Sequence, residues 1–177
     1  MGEYPEALEL QLRAIDLFRP QVKNGHPVLA SFLKNLSTCE LLLGKVVERV
    51  GRLDEALGYA DEALDIMEAK FGRESHQTAD ALLASGRILR SLDRLDDAEA
   101  RLLGALATRR TVFGPDHLNV AQALELLGLL YRDLDRSPDA DQHFADALRI
   151  RQLTLPDSHP EVTRLRESLG GADRSPK

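Results

Sequence analysis

Tryptophan is absent from this chain of 177 residues, cysteine occurs once, and aromatic residues make up only 5% of it. So few aromatic and β-branched residues argue against a sheet protein. The single cysteine, Cys39, cannot close an internal disulfide, so it points to a reducing compartment and reads as a small residue within a helix. Basic excess is also missing. The net charge is −6, with acids and bases interspersed, which is the opposite of the basic stripe a nucleic-acid binder needs. No stretch approaches the roughly 18 apolar residues of a membrane span. The start, Met1-Gly-Glu-Tyr4, lacks the basic and apolar parts of a signal peptide. The chain therefore reads as soluble and cytoplasmic, with neither nucleic acid nor membrane among its expected partners.

What the chain does have is leucine and alanine in quantity, within an apolar fraction of 43%. Both are strong helix formers, and that fraction is too apolar for a disordered chain. The sequence also repeats itself. Ala7, Ala56, Ala98 and Ala140 lie 49, 42 and 42 residues apart, and each is followed seven residues later by Ala14, Ala63, Ala105 or Ala147. A histidine follows 19 or 20 residues after the first alanine of each copy: His26, His76, His117 and His159. A period of this length in an all-helical pattern signals a solenoid of stacked hairpins, an architecture that mostly serves protein binding.

Apolar spacing predicts helices over 4–20, 27–50, 54–70, 77–92, 96–112, 118–134, 138–153 and 160–169, with no convincing two-residue alternation anywhere. Gly51-Arg-Leu-Asp54 and Asp93-Arg-Leu-Asp96 read as turns, Pro138 as a helix start, and Gly170-Gly171 as a stop. Connections this short make consecutive helices antiparallel neighbours. The fold class is all-α, a right-handed solenoid of about seven to eight helices. One repeat domain spans 1–171: a half repeat over 2–25, repeats over about 26–74, 75–115 and 116–157, the final helix 160–169, and then a tail over 172–177. Within the second helix of each hairpin, small and apolar residues such as Ala140, Phe144, Ala147 and Leu148 form a stripe that locks one hairpin to the next.

Candidate chemistry is sparse. The repeating histidines fall at equivalent turns on successive hairpins, so they serve helix entry, with Asp116, Asp157 or Ser158 as caps, and do not converge on one point. His143 stands alone on a helix, whereas zinc needs three or four ligands. A phosphate loop, an HExxH motif and a nucleophile elbow are all missing. Asp93-Arg-Leu-Asp-Asp97 lacks the spacing of a calcium loop. The expectation is a protein without catalytic residues, metal or cofactor. Ser85-Gly86 and Leu103-Gly104 place single glycines inside helices, where close packing accounts for them.

The stretch Leu124-Glu-Leu-Leu-Gly-Leu-Leu-Tyr131, then Asp135–Ala140 and Ala147-Leu-Arg-Ile150, closely resembles a tetratricopeptide repeat. The linkers Phe113-Gly-Pro-Asp-His117 and Leu155-Pro-Asp-Ser-His-Pro160 resemble the 42-residue variety found in kinesin light chains and in many bacterial multidomain proteins. The resemblance covers about residues 2–169. Departures are specific. Asp135-Arg-Ser-Pro138 stands where the family favours glycine, so that turn is expected to be atypical, and His76 sits one residue late. Seven extra residues in the first hairpin amount to two helical turns, which lengthens the helix over 27–50 without rotating its apolar face. The array begins and ends on part-hairpins, so apolar faces are expected at its ends, where self-association or a longer parent protein would cover them.

The resemblance implies that the first helix of each hairpin lines a concave groove. Carried across, the groove takes Lys34, Asn35, Thr38 and Lys45, with Ser31, Leu41 and Glu48, from the first hairpin. Arg87 and Arg90, with Asp80, Leu83 and Ala84, come from the second, and Gln122, Glu125, Leu129 and Arg132, with Leu126, from the third. Helical spacing independently puts Arg87 and Arg90 on one face. A groove holding Lys45, Arg87, Arg90 and Arg132 is more basic than the protein around it, and suits an acidic protein or peptide partner. Kinesin light chain repeats hold a peptide backbone with paired asparagines on this helix, and here only Asn35 matches. The expected function is a non-enzymatic interaction module or scaffold; the alternative is a regulatory or sensor segment of a larger bacterial signalling protein.

Overall fold

The computed structural model describes residues 49–170, together with Ser31. Six helices make up this region: α1 (Arg49–Phe71), α2 (His76–Ser91), α3 (Leu95–Phe113), α4 (Leu118–Asp133), α5 (Ser137–Gln152) and α6 (Pro160–Gly170). The described residues contain no strand. The helices expected over 4–20 and 27–50 lie outside the described residues, apart from Arg49 and Val50.

Those two residues carry a correction. They open α1, so Gly51-Arg-Leu-Asp54 lies inside a helix and not in a turn. A lone glycine costs a helix only about 1 kcal/mol, and no proline stands between Pro27 and Pro115 to stop the chain. The later helices begin and end within a residue or so of their expected limits.

Each helix packs against its neighbours in sequence, and α2 also touches α4. The connections are three to seven residues long, which forces adjacent helices to run antiparallel. Repetition reaches down to single hydrogen bonds. Where α2 ends, the Arg94 N–H bonds the Leu89 carbonyl at 2.9 Å and the Asp93 N–H bonds the Arg90 carbonyl at 3.2 Å. Where α4 ends, Arg136 and Asp135 make the same pair to Tyr131 and Arg132 at 2.8 and 3.1 Å. Both are Schellman ends, which need a left-handed residue and normally take glycine. Here Asp93 and Asp135 supply it, at φ 61° and 56°. The 135–138 turn is therefore not atypical in conformation; aspartate tolerates the left-handed region better than most side chains do.

The displaced histidine is explained in the same way. Ser75, His117 and His159 stand 42 residues apart, and His117 and Ser75 are the N-caps of α4 and α2. Ser75 Oγ accepts from the Thr78 N–H at 3.2 Å, and His117 Nδ1 from the Asn119 N–H at 3.1 Å. His159 Nδ1 accepts from the Glu161 N–H at 3.3 Å. The cap register is kept, with serine occupying it in one copy, so His76 is the first residue of α2 and not its cap. The histidines themselves cap the helices. Asp116 and Asp157, expected in that role, instead pair with Arg149 and Arg166.

The core forms where second helices meet first helices. Ala98, Leu102, Ala105, Ala140, Phe144 and Ala147 are buried, as the stripe requires. Leu102 and Phe144 press into glycines of the preceding helix: a Cβ at Gly86 would stand 2.7 Å from Leu102 Cδ2, and one at Gly128 only 2.8 Å from the Phe144 ring. Gly104 differs, since a Cβ there would meet Leu82 at an ordinary 3.6 Å, so close packing does not account for that glycine. On α6, Val162 and Leu165 face inward, whereas Thr163, Arg164, Arg166 and Glu167 are exposed. Thr163 and Arg166 stand 42 residues after the buried Ala121 and Leu124, so the outer face of this helix is polar and not the apolar surface expected there.

Candidate partner-binding face

Two first helices, α2 and α4, lie side by side with the end of α3 behind them. Between them opens a pocket of about 180 Å³. Asp80, Leu83, Ala84 and Arg87 contribute from α2, and Gln122 and Leu126 from α4. All six were carried across as groove residues, and here they line one cavity. Its floor holds a residue that sequence reading missed, Arg109 of α3.

Arg109 is 4% exposed and joins three helices. It donates to Asp80 Oδ1 at 2.7 Å, to the Asn119 carbonyl at 2.6 Å and to Gln122 Oε1 at 2.9 Å. Its counterpart 42 residues on, Arg151, is 5% exposed and donates to Glu125 Oε2 at 2.7 Å and to Glu161. In each the Nε is buried without a partner. A charge this enclosed is tolerated because several acceptors surround it. The available signal was the recurrence of arginine at 109 and 151, 42 residues apart on α3 and α5.

Other expected groove residues are engaged internally. Arg90 pairs with Asp133 of α4. Arg132 donates to the Ser168 carbonyl at 2.6 Å and sits over the Phe144 ring, 4.7 Å from its centroid. Glu125 is mostly buried between Arg151 and Arg164. Leu129 is half-buried on α4. Of Arg87, Arg90 and Arg132, only Arg87 has a guanidinium free of any partner among the described residues. Lys34, Asn35, Thr38 and Lys45 lie outside the described residues, as do Leu41 and Glu48; Ser31 is helical and exposed.

Two further groups sit in perturbed surroundings. Burial and a 2.7 Å hydrogen bond donated to Glu99 Oε1 push the Tyr131 hydroxyl up to about 12. Burial also raises Asp61, against the opposing pull of Arg101. Neither belongs to the pocket. His143 Nδ1 donates to the Asp139 carbonyl at 2.7 Å, with its ring against Tyr131. His117 stacks on Phe113 at 4.6 Å, and His76 is tilted against the same Phe113 ring at 6.1 Å. Among the described residues no cluster of three His, Cys, Asp or Glu side chains is placed to hold a metal, and no helix is long and apolar enough to cross a membrane.

Stacked antiparallel hairpins in a strict 42-residue register define a helical-repeat solenoid. The tetratricopeptide repeat profile matches residues 40–111 and 77–152, and the chain belongs to that family. Among solved structures it resembles BtubC (BKLC) from P. vanneervenii, at 26% identity and a TM-score of 0.71, over 96% of this chain and 65% of that one. It also resembles the nearly identical TPR-like repeats of a putative kinesin light chain from Podosopora anserina, at 16% identity and a TM-score of 0.77, over 97% of this chain and 78% of that one. The apo form of RapI aligns at 18% identity and a TM-score of 0.76, over 97% of this chain and 57% of RapI. The chain thus spans just under two thirds of BtubC and little over half of RapI. Comparison with curated proteins gave no significant match.

Proposed function

We propose that this chain is a protein-interaction module that binds a segment of a partner along the face formed by its first helices. One observation carries the reading: residues of α2 and α4 that the family resemblance marks as groove-lining meet at one pocket, with Arg87 unpaired at its side and Leu83, Ala84 and Leu126 as apolar walls. Three apolar residues beside four charged or polar ones suit recognition of a polar side chain. The groove read this way is basic through Arg87, since Arg90 and Arg132 already have partners. It therefore suits an acidic segment, within a single repeat domain over 1–171 and in a cytoplasmic setting. The reading is of a non-enzymatic module, in keeping with the repeat family to which the chain belongs.

Arg87→Glu is the clean test, because Arg90→Glu would also break the pair with Asp133. A partner captured with the wild-type protein and then titrated should lose at least about tenfold in affinity on that charge reversal, the scale of losing a hydrogen bond to a charged group. Thermal unfolding should be unchanged, which separates binding from folding. Equal affinity of the two proteins would contradict the reading.

A further inference from the structure

We propose that the edge of the solenoid built from the turns between hairpins is a self-association surface, on which a second copy of this chain docks about a two-fold axis. Alternating helix direction brings the ends of α1, α3 and α5 and the starts of α2, α4 and α6 to this one edge. Of the five large apolar side chains exposed among the described residues, four stand there: Phe71, Val112, Leu118 and Leu153, each 37–60% exposed. Only Leu103 lies elsewhere, in the middle of α3. Apolar side chains scattered singly need no partner, but four gathered on one edge mark an interface. This surface is independent of the α2–α4 pocket.

The four side chains form one row. Phe71 closes α1, Val112 and Leu118 flank the next turn, and Leu153 follows α5. Neighbouring turns touch: the Phe113 ring lies 6.1 Å from His76 of the turn before and 4.6 Å from His117 of its own. The row therefore runs from Phe71 to the Val112–Leu118 pair and on to Leu153, one hairpin at a time. Apolar groups spaced in this way match themselves when turned about the middle of the row, which is what an isologous dimer needs. With the axis at the middle turn, Val112 and Leu118 meet their own copies and Phe71 meets Leu153.

Charge decides for a second copy at this edge. The chain carries −6 overall, yet here the charges balance. Glu68 and Glu74 offset Lys70 and Arg73, Asp116 offsets Arg110, and Asp157 and Glu161 offset Arg149 and Arg151. Several already pair within the chain, Arg73 with Glu68 and Arg149 with Asp116. The opposite edge differs: its turns at 93–97 and 133–139 each hold three aspartates against one arginine. None of the exposed large apolar side chains falls in those turns. Two acidic chains repel least where their charge is balanced, so the apolar edge is where they can meet. The outer face of α6 is polar and offers no such contact for stacking end to end.

Sedimentation velocity of the full chain from low to high micromolar concentration tests this, and wild type should pass from monomer to dimer. Val112→Glu together with Leu118→Glu sets like charges against their own copies beside the axis and should weaken dimerisation at least about tenfold. Both positions are exposed, and an acid suits the first turn of α4, so the circular dichroism spectrum should not change. Leu103→Glu should leave the dimer intact. In a Cys39→Ser background, oxidation should link Leu118→Cys to its own copy. It should link Phe71→Cys to Leu153→Cys when the two chains are mixed, and neither to itself. A chain that stays monomeric at every concentration overturns the proposal, as does a dimer that survives the paired glutamates or that Leu103→Glu dissolves. Phe71→Cys linking to itself overturns the two-fold docking, and oligomers that grow without limit, the sign of end-to-end stacking, overturn it too.

Discussion

The ring of Phe144 lies against the backbone of Gly128 so closely that a methyl group added there would stand 2.8–2.9 Å from three ring atoms. Forty-two residues earlier Leu102 does the same to Gly86. In both hairpins the second helix inserts its largest core residue where the first helix has no side chain, and this sets how closely the two approach.

Gly128→Ala should therefore destabilise the chain by about 1–3 kcal/mol, because a buried ring has no room to yield. Gly86→Ala should cost less, since the Leu102 side chain can change rotamer. Gly104→Ala meets only an ordinary contact and removes a helix-interior glycine, so it should stabilise by up to about 1 kcal/mol. Chemical denaturation of the three variants checks the order, and equal effects at 86, 104 and 128 would contradict this packing.

The left-handed aspartates make an independent prediction. Asp135→Ala should lower stability by about 1 kcal/mol, the cost of a left-handed conformation for a side chain without local polar contacts. Asp135→Gly should be neutral or stabilising, and Asp93 should follow the same pattern at φ 61°. Denaturant midpoints for alanine and glycine variants at both sites measure the difference.

Capping is testable through the serine already present in one copy. His117→Ala should cost about 0.5–2 kcal/mol by leaving an α4 N–H unsatisfied. His117→Ser should recover most of that loss, because Ser75 performs the same task at the start of α2. A thermal melt in which serine is no better than alanine would show that the Phe113 stack, not the cap, is what the histidine supplies.

Tyr131 gives a pH dependence. Its hydroxyl ionises near 10.0 in an unfolded chain and at about 12 in the fold, first because it is buried and then because it donates to Glu99. The fold favours the neutral form, so this contribution is complete below pH 10 and is lost as pH rises from about 10 through about 12. Tyrosinate absorbance should show a late-titrating component that disappears in Tyr131→Phe. The variant should also lose less stability than wild type across that window.

The hairpins were legible in the sequence because apolar residues recur at helical spacing and the alanines Ala98, Ala105, Ala140 and Ala147 recur with the repeat. Gly51 misled because it resembles the turn residue of later copies, although one glycine without a nearby proline does not end a helix. The Asp135 turn was misread because residue type was taken for conformation. Aspartate reaches the left-handed region that glycine usually occupies. On the candidate face, the resemblance to tetratricopeptide repeats picked out Asp80, Arg87 and Gln122, which line one cavity. Arg109 and Arg151 escaped because arginine is ordinarily counted as solvent-facing, and only the surrounding acceptors of other helices make their burial possible. The pairing of Arg90 with Asp133, and of Glu125 with two arginines, is likewise set by tertiary contacts that no local pattern encodes.

The most direct test of the account is to map a bound protein segment onto the chain by amide hydrogen exchange. The account predicts new protection along α2 between about residues 80 and 90 and along α4 between about 122 and 132, with α3 and α5 unchanged on their exposed faces. Protection confined to α3 and α5, with α2 and α4 unaltered, would contradict it.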